Sequence, residues 1–317
     1  MIIVTGGAGF IGSNIVQRLN SAGITDIMVV DDLTDGHKAM NLAGCQIADY
    51  MDHDDFLRRI VARKDLAPKV LGVLHQGACT TTTEWDGRLM MHLNYEFSRQ
   101  LLHYCLERRL PLIYASSASV YGAGREFRVA PDCERPINVY AYSKLAFDQH
   151  VRRFIGAAGS QIVGLRYFNV YGPGEAHKGS MASVIWHFHN QLLAGDEVRL
   201  FEGSDGYGAG EQLRDFIHVD DVASANLWFL EHGGKRGIFN LGTGKARSFN
   251  DVAKAVIAWH GRGSIRYIPF PPGLAASYQS FTQADLATLR LAGYQDEFIG
   301  IEKGVHSYLD VLRAQAR

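Results

Sequence analysis

Short apolar runs alternate with longer amphipathic stretches through the first half of the chain. The runs are uniformly apolar, which is typical of parallel strands that are buried on both faces. They predict strands at Ile2–Thr5, Ile27–Val30, Val70–His75, Leu112–Ala115 and Ile162–Tyr167. The stretches between them have apolar residues at helical spacing and predict helices at Ile11–Ala22, Phe56–Val61, Met90–Glu107 and Tyr140–Phe154.

This alternation predicts an α/β fold whose first lobe is a doubly wound parallel sheet of the Rossmann type. After about residue 172 the segments become shorter and are separated by Gly, Pro and charged turns. This change predicts a smaller C-terminal substrate lobe that is interleaved with the first. We predict a dinucleotide-binding domain at residues 1–170 plus about 214–262, and a substrate-binding lobe at about 171–213 plus 263–317.

The composition, with 47% apolar and 21% charged residues, is that of an ordinary globular protein. Basic and acidic residues nearly balance at 32 and 33, which argues against a nucleic-acid scaffold or a polybasic membrane-binding protein. No apolar run reaches the roughly 18 residues of a membrane helix, and the N-terminus lacks a signal-peptide pattern. The four cysteines are dispersed and the histidines form no cluster, so we expect reduced thiols, no metal site and a cytoplasmic location.

A glycine-rich turn follows the first predicted strand and opens the first predicted helix. In the segment TGGAGFIG, the glycines Gly6, Gly9 and Gly12 permit a tight turn and close approach of a pyrophosphate. The amides of Phe10 and Ile11 then lie at a helix N-terminus, where the helix dipole favours an anion. This strand–turn–helix setting predicts dinucleotide binding.

Two opposing signals concern which dinucleotide is bound. Asp31 ends the second strand, where a carboxylate binds the ribose 2′-hydroxyl and repels a 2′-phosphate, which favours NAD. Lys38 follows in the next loop and offers a positive partner for that phosphate. Asp31 and Lys38 therefore do not decide between NAD and NADP as the cofactor.

Ser116, Tyr140 and Lys144 form the sharpest catalytic signal in the chain. Tyr140 and Lys144 are four residues apart, so they project from one face of a helix. A phenol with a pKa near 10 is a poor base, and a nearby ammonium lowers that pKa. We therefore expect Lys144 to lower the pKa of Tyr140, and Ser116 to hold a substrate oxygen during hydride transfer.

These motifs resemble those of the extended short-chain dehydrogenase/reductase family, in the segments TGGAGFIG, SSASVYG and YAYSK. The segments TTEWDG, YFNVYGP, HKGSMASV, LFEGS and GIFNLGTG are further similar to those of the ADP-L-glycero-D-manno-heptose 6-epimerases, a group of the NAD(P)-dependent epimerase/dehydratase type. The resemblance covers both lobes, from residue 1 to about 290. It implies an isomerase that acts on a nucleotide sugar in lipopolysaccharide biosynthesis.

The resemblance implies inversion of C6″, which converts ADP-D-glycero-D-manno-heptose to ADP-L-glycero-D-manno-heptose. A tightly bound nicotinamide cofactor oxidises the carbinol to a ketone, which is then re-reduced from the opposite face. Each face needs a proton acceptor and donor, which the family places at Tyr140 and at Lys178 of HKGS. The family association favours NADP, with NAD possible, and implies a homo-oligomer, pentamers included.

The resemblance also implies two sets of binding residues. For the cofactor these are, beyond the glycine turn, Asp31, Asp32, Lys38, His53, Gln76, Gly77, Ala78, Cys79, Thr80, Asn94, Lys144, Val170 and Lys178. For the ADP-heptose substrate they are Ser116, Asn169, Ser180, His187, Phe201, Glu202, Gly203, Ser204, Arg214 and Tyr278. Arg214 suits a diphosphate, because its planar guanidinium donates two parallel hydrogen bonds.

This chain departs from the family pattern at two places. His53 replaces a lysine, which makes a phosphate contact there dependent on pH or removes it, and the loop Asp205–Leu213 is longer than usual before Arg214. The residue types also leave two simpler roles open: Lys178 as a contact to phosphate, and His187 as a packing residue.

Other functions on the same fold carry different expectations. A sugar-nucleotide 4,6-dehydratase needs an acidic pair where this chain has Ser117 and Ala118, so dehydration is disfavoured. A UDP-hexose 4-epimerase uses the same hydride chemistry and does not need Lys178. A non-catalytic dinucleotide-sensing module is a third alternative, which the presence of Tyr140 and Lys144 disfavours.

Overall fold

The computed structural model describes residues 1–270 and 279–315. The β-strands are β1 (Ile2–Thr5), β2 (Ile27–Asp31), β3 (Asp49–Asp52), β4 (Gly72–His75), β5 (Leu112–Ser117), β6 (Ile162–Tyr167), β7 (Asn169–Tyr171), β8 (Glu197–Phe201), β9 (Leu213–His218), β10 (Arg236–Leu241), β11 (Ala246–Ser248) and β12 (Ser264–Ile268). The α-helices are α1 (Phe10–Ser21), α2 (His53–Val61), α3 (Gly87–Met90), α4 (Phe97–Arg108), α5 (Val139–Ile155), α6 (Val184–Ala194), α7 (Val219–Glu231), α8 (Phe249–His260), α9 (Ala287–Leu291) and α10 (Ile301–Gln315). None of the helices in these two ranges combines the length and the apolarity that crossing a membrane requires.

Seven parallel strands form the central sheet, in the order β10-β6-β5-β4-β1-β2-β3. The chain adds β2 and β3 on one side of β1, and then places β4, β5 and β6 on the other side. The connections that leave β1 and β4 therefore diverge and open a crevice at the carboxyl ends of these strands. This topology confirms the predicted doubly wound α/β fold.

The five predicted strands correspond to β1, β2, β4, β5 and β6. The sequence reading missed β3, an edge strand that is exposed at three of its four positions and so has no apolar run. In β1, Ile2 and Val4 pack into one apolar cluster and Ile3 packs into another. Successive side chains of a strand point to opposite faces, so the central strands have a core on both sides.

The predicted helix Met90–Glu107 lies inside a longer helical segment that is not regular throughout. A π-helical turn at Met91–Glu96 separates α3 from α4. It contains Asn94, whose side chain is only 1% exposed. Because π turns occur frequently at functional sites, this irregularity draws attention to the contacts of Asn94.

The C-terminal part contains two smaller sheets, β11-β9-β7 and β12-β8. Around them, α6, α8 and α10 share an apolar cluster that includes Tyr171, Phe188, Val256 and Tyr308. By contrast, β10 returns to the central sheet and pairs in parallel with β6. The chain thus passes more than once between the two parts, and the residue bounds of the two predicted domains stay a prediction.

Candidate active site

Two adjoining cavities lie at the carboxyl edge of the central sheet. The first, the β5 cavity, has a volume of about 470 Å³ and reaches from the end of β5 to β9. The second, the β2 cavity, has a volume of about 290 Å³ and lies beside the end of β2. Ala78, in the loop after β4, lines both of them.

The glycine turn between β1 and α1 has no room for side chains. A Cβ atom on Gly12 would lie 2.0 Å from the carbonyl oxygen of Gly6, and one on Gly6 would lie 2.6 Å from the amide nitrogen of Gly77. Phe10 and Ile11 open α1 and line the β5 cavity. Because the first amides of a helix have no helical acceptors, this cradle fits the pyrophosphate of a dinucleotide.

The β2 cavity gathers the polar residues predicted to hold the adenosine ribose, which are Asp31, Asp32, Lys38 and His53. Both oxygens of the Asp31 carboxylate are engaged. Oδ2 accepts a hydrogen bond from an amide of the glycine turn at 2.8 Å, and Oδ1 accepts one from Lys38 Nζ at 2.6 Å. The ring of His53, at the start of α2, stacks on Phe97 with a centroid distance of 5.7 Å. The cavity therefore offers a cation and an imidazole beside a buried carboxylate.

The loop after β4 separates the two cavities. Gln76, Ala78 and Thr80 line the β5 cavity, and Gly77, Ala78 and Cys79 line the β2 cavity. Asn94 is not among the described residues that line either cavity. Its side chain instead accepts from the amide of Cys79 at 2.8 Å and donates to the carbonyl oxygen of Cys79 and to Ser143 Oγ, both at 3.0 Å. This side chain therefore holds the loop against α5, and the cofactor contact of Asn94 stays a prediction.

Tyr140 lies in the first turn of α5, where Asn138 caps the helix by accepting from a backbone amide at 2.8 Å. The hydroxyl of Ser117 lies near the Tyr140 phenol, where it acts to lower the pKa of that phenol, and both residues line the β5 cavity. Ser116 precedes Ser117 on β5, so the Ser116 side chain points to the opposite face of the sheet. Its hydroxyl donates to Asp148 Oδ2 at 2.9 Å. Ser116 also lines the β5 cavity, so its role as the hydroxyl that holds the substrate oxygen stays a prediction, and Ser117 is a second hydroxyl beside Tyr140.

Lys144 lies one turn after Tyr140 on α5 and is almost wholly buried. Its Nζ donates to the carbonyl oxygen of Ala115 at 3.0 Å. Burial lowers the pKa of Lys144 to about 8, and the carboxylate of Asp148 acts in the opposite direction. Burial raises the pKa of Tyr140, and the nearby hydroxyl of Ser117 partly offsets this rise. Lys144 is not among the described groups that shift the pKa of Tyr140, and its effect on the phenol stays a prediction.

A buried network of ion pairs lies behind α5. Asp148, one turn after Lys144 on α5, accepts from Ser116 and pairs with Arg166 of β6 at 2.8 Å. Arg166 also pairs with Glu134 at 2.5 Å. Asp148 and Arg166 are both completely buried, and buried charges are retained only when they are paired. The network therefore fixes α5 against β5 and β6.

Lys178 reaches the β5 cavity from a different part of the chain, a 3₁₀ turn at Ala176–Met181. Its Nζ lies 5.2 Å from the centroid of the Phe10 ring. Burial lowers the pKa of Lys178, and Glu175 acts in the opposite direction. The fold therefore brings a phenol and an amine, Tyr140 and Lys178, into the lining of one cavity.

The predicted substrate residues divide into two sets. Arg214 of β9 lines the β5 cavity together with Asn169 and Val170 of β7, so the longer loop before Arg214 does not displace it. Ser180, His187 and the segment 201–204 are not among the described residues that line this cavity. Tyr278 lies outside the described residues.

The second set has contacts of its own. His187 Nε2 lies 3.4 Å from the carbonyl oxygen of Ser180. The ring of Phe201 stacks on Phe270 with a centroid distance of 4.7 Å, and Gln212 donates to the carbonyl oxygen of Glu202 at 2.9 Å. These residues form a neighbouring surface, and their assignment to the substrate stays a prediction.

Several residues that line the β5 cavity were missed by the sequence reading. Besides Ser117, they include Thr82, Phe216, Phe249, Gln279 and Thr282. Thr82 lies between β4 and α3, whereas Phe216, Phe249, Gln279 and Thr282 come from β9, α8 and the segment that follows residue 278; these parts converge only in the folded chain. No local spacing marks them.

The chain is similar to known proteins along nearly its whole length. Residues 2–242 match the family described as the NAD dependent epimerase/dehydratase family. An ADP-L-glycero-D-manno-heptose-6-epimerase from Alkalilimnicola ehrlichii is 60% identical over 312 residues, which are 98% of this chain and 97% of that protein. The crystal structure of ADP-L-glycero-D-manno-heptose-6-epimerase from Helicobacter pylori has a TM-score of 0.83 at 31% identity, and the match covers 99% of this chain and 96% of that one. A Thermus thermophilus UDP-glucose 4-epimerase in complex with NAD has a TM-score of 0.80 at 28% identity over 98% of both chains.

The family match begins with the first residue of β1 and ends just after β10, so it includes the whole central sheet and α5. The match to the A. ehrlichii protein extends through the C-terminal part as well. An identity of 60% over this length makes the chain an isomerase, which excludes the reading as a non-catalytic module. The chain belongs to the NAD dependent epimerase/dehydratase family, within the group of the ADP-L-glycero-D-manno-heptose-6-epimerases.

Proposed function

We propose that this enzyme inverts C6″ of ADP-D-glycero-D-manno-heptose and so supplies ADP-L-glycero-D-manno-heptose for the inner core of lipopolysaccharide. The observation that carries the proposal is that Tyr140 and Lys178, from separate elements, line one cavity beside the glycine turn. The printed names of the relatives from A. ehrlichii and H. pylori support this choice of substrate.

The chemistry requires two acid–base groups. C6″ has no neighbouring carbonyl group, so its hydrogen is not acidic enough to be removed as a proton. When bound at the glycine turn, a nicotinamide cofactor supplies the acceptor and donor of hydride for this carbon. The protein then has to move the hydroxyl proton, once for each face, and each such group contributes roughly 10²–10⁴-fold to the rate.

In the proposal, Tyr140 exchanges this proton at one face and Lys178 at the other. Ser117 lines the cavity near Tyr140, and its hydroxyl acts to lower the pKa of the phenol. Burial lowers the pKa of Lys178, which brings the amine closer to the range in which it both accepts and donates a proton. Lys144 is held by a carbonyl oxygen of β5 and orients the cofactor ribose.

Arg214 is the proposed partner of the substrate diphosphate. Its side chain lines the β5 cavity, and a guanidinium donates two parallel hydrogen bonds to phosphate oxygens. Asn169, which also lines the cavity, is the proposed contact to the sugar.

We further propose that NADP is the preferred cofactor. Lys38 and His53 line the β2 cavity, where the 2′ substituent of the adenosine ribose lies in folds of this type. Because Lys38 pairs with Asp31, the negative charge that would repel a 2′-phosphate is already compensated.

The test is conversion of ADP-D-glycero-D-manno-heptose by the purified full chain, with the C6″ proton observed by ¹H NMR. We expect inversion by the wild type and a loss of turnover of about 10²–10⁴-fold in Lys178→Met. Lys64→Met is the matched control, because Lys64 is exposed and lines neither cavity, and it should keep the wild-type rate. Solvent deuterium at C6″ of the product would contradict the hydride route.

A UDP-hexose 4-epimerase is the second candidate, and the structural likeness to the T. thermophilus enzyme favours it. In that reaction Tyr140 alone serves a sugar that rotates in the site, so Lys178→Met should keep its turnover. Equal conversion of UDP-glucose by the wild type and by Lys178→Met, without conversion of ADP-heptose, would replace the first proposal.

Assembly and location belong to the same proposal, by resemblance: a homo-oligomer, with a pentamer as the expected form, that acts in the cytoplasm. Light scattering on the purified chain measures the number of subunits, and fractionation of cells measures the location. A monomer, or activity in the periplasmic fraction, would contradict this part.

A further inference from the structure

Lys178 is carried by a loop, residues 172–183, that closes on one buried carboxylate. Glu175 has no exposed surface. Its Oε1 accepts from the amide of Gly172 at 3.4 Å and from the hydroxyl of Ser183 at 2.6 Å, and its Oε2 accepts from the amide of Ser183 at 2.5 Å. One side chain therefore joins the two ends of the loop, at the end of β7 and at the start of α6.

The direction of the Lys178 side chain follows from this closure. The amide of Lys178 donates to the carbonyl oxygen of Glu175 at 3.0 Å, within the 3₁₀ turn. The next residue, Gly179, has a φ of 54°, so the chain changes direction directly after the lysine. Since the Glu175 carboxylate is held by both loop ends and the Lys178 amide is bonded to the Glu175 carbonyl, the carboxylate fixes the backbone from which the Lys178 side chain extends.

The charges around Lys178 give this carboxylate a second role. Across the β5 cavity, Lys178 shares the lining with Tyr140, Lys144 and Arg214, which are neutral or positive at neutral pH. Glu175 is the acid whose charge opposes the effect of burial on the pKa of Lys178. The loop thus brings a counter-charge to an amine that also lies over the ring of Phe10 in the cavity.

The other titratable groups near Glu175 and Lys178 do not supply a negative charge in place of the Glu175 carboxylate. His177 precedes Lys178, and burial together with the nearby ammonium lowers the pKa of its imidazole. Tyr308 of α10 faces the Glu175 carboxylate with a hydroxyl, and its pKa is raised, so that it stays neutral. Burial raises the pKa of Glu175, while its hydrogen bonds from Ser183 lower it.

We propose that Glu175 is a positioning residue for Lys178: it closes the loop that carries the lysine, and its charge favours the ammonium form, which keeps the amine in the cavity as a proton donor. Glu175 acts through Lys178 and lines neither cavity among the described residues. The inference rests on the proposed function, in which Lys178 is the second acid and base.

The test compares two midpoints in Glu175→Gln. The first is the pH midpoint for acetylation of Lys178, measured by mass spectrometry of its peptide in the full chain, which reports on the amine whether or not it is catalytic. The second is the midpoint of the pH profile of kcat with ADP-heptose. We expect both to fall by about one pH unit, the usual size for loss of an adjacent opposite charge, with KM changed less than about twofold.

Asp221→Asn is the matched control. Asp221 is another buried carboxylate of this region, and it accepts from the backbone amide of Ile299 at 2.9 Å. Its charge is not among those that act on Lys178, so both midpoints should stay at their wild-type values.

The outcomes distinguish the positioning of Lys178 by Glu175 from the catalytic role of Lys178. An unchanged acetylation midpoint in Glu175→Gln overturns the inference. A lowered acetylation midpoint with an unchanged profile of kcat supports the positioning of Lys178 and contradicts its catalytic role. Should Glu175→Gln fail to fold, Ser183→Ala removes one donor to the carboxylate and should lower kcat at least fivefold at unchanged KM; a wild-type kcat would overturn the inference.

Discussion

The ammonium of Lys38 donates a 2.6 Å hydrogen bond to the carboxylate of Asp31. Asp31 is 6% exposed, and its other oxygen accepts from the amide of Ala8 in the glycine turn. The two residues whose separate signals favour NAD and NADP therefore form one unit. Lys38 lines the β2 cavity, and it compensates the negative charge of Asp31.

Lys38→Met should weaken NADP binding more than NAD binding. A hydrogen bond to a charged group contributes about 1.5–3 kcal/mol, which corresponds to roughly a 10–150-fold loss of affinity for NADP. Calorimetric titration of the cofactor-free protein with each dinucleotide measures both affinities. Lys69→Met, at an exposed lysine outside the cavity lining, is the control, and an equal loss for the two cofactors would contradict the role of Lys38.

Two neighbouring serines of β5 should differ in what they affect. Ser117→Ala should lower kcat by about tenfold or more, because Tyr140 loses the hydroxyl that lowers its pKa, and it should lower the free energy of unfolding by about 1 kcal/mol, because Ser117 caps the turn that follows β5. Ser116→Ala should leave kcat near the wild-type value and lower the free energy of unfolding by about 1–3 kcal/mol, because Asp148 loses a buried donor. Steady-state rates and urea unfolding distinguish the two, and the reverse pattern would support the predicted role of Ser116.

The stability of the enzyme should rise with pH in the alkaline range because of Lys144. Its pKa in the folded chain, about 8, is below the ordinary value of 10.5. Between these values the unfolded chain binds the proton and the folded chain does not, so the free energy of unfolding increases as the pH rises from 8 to 10.5. Thermal unfolding at pH 7.5 and 9.5 should show a smaller gain, or a larger loss, for Lys144→Met than for the wild type; parallel curves would contradict the shift.

Asp148→Asn should be strongly destabilising. The substitution leaves Arg166 as a fully buried cation that has lost one of its two partners, and breaking such a pair costs about 3–5 kcal/mol. Urea unfolding measures this loss. The exposed pair of Asp310 with Arg313 on α10 is the comparison, since Asp310→Asn should move the unfolding midpoint far less. Equal effects would mean that the buried network does not anchor α5.

Much of the cofactor site was predictable because its determinants are local. The turn between the first strand and the first helix requires glycine at the positions where a side chain would not fit. The segment TGGAGFIG has glycine at these positions, so the turn is specified locally. The role of Asn94 was not predictable, because its partner Cys79 belongs to a different loop. The contacts of Ser180, His187 and Phe201 likewise depend on how the C-terminal segments pack.

By itself, the sequence determined the parallel sheet, the glycine cradle, and the shared helix face of Tyr140 and Lys144, because strand burial and helical spacing are properties of consecutive residues. Only the tertiary structure decided that Ser117 faces Tyr140, since a strand alternates its faces and packing selects which face meets the cavity. It also decided that Lys178 and Arg214 join Tyr140 in one lining. These residues come from separate loops and strands, and their distances are set by the closure of those loops, not by any spacing along the chain.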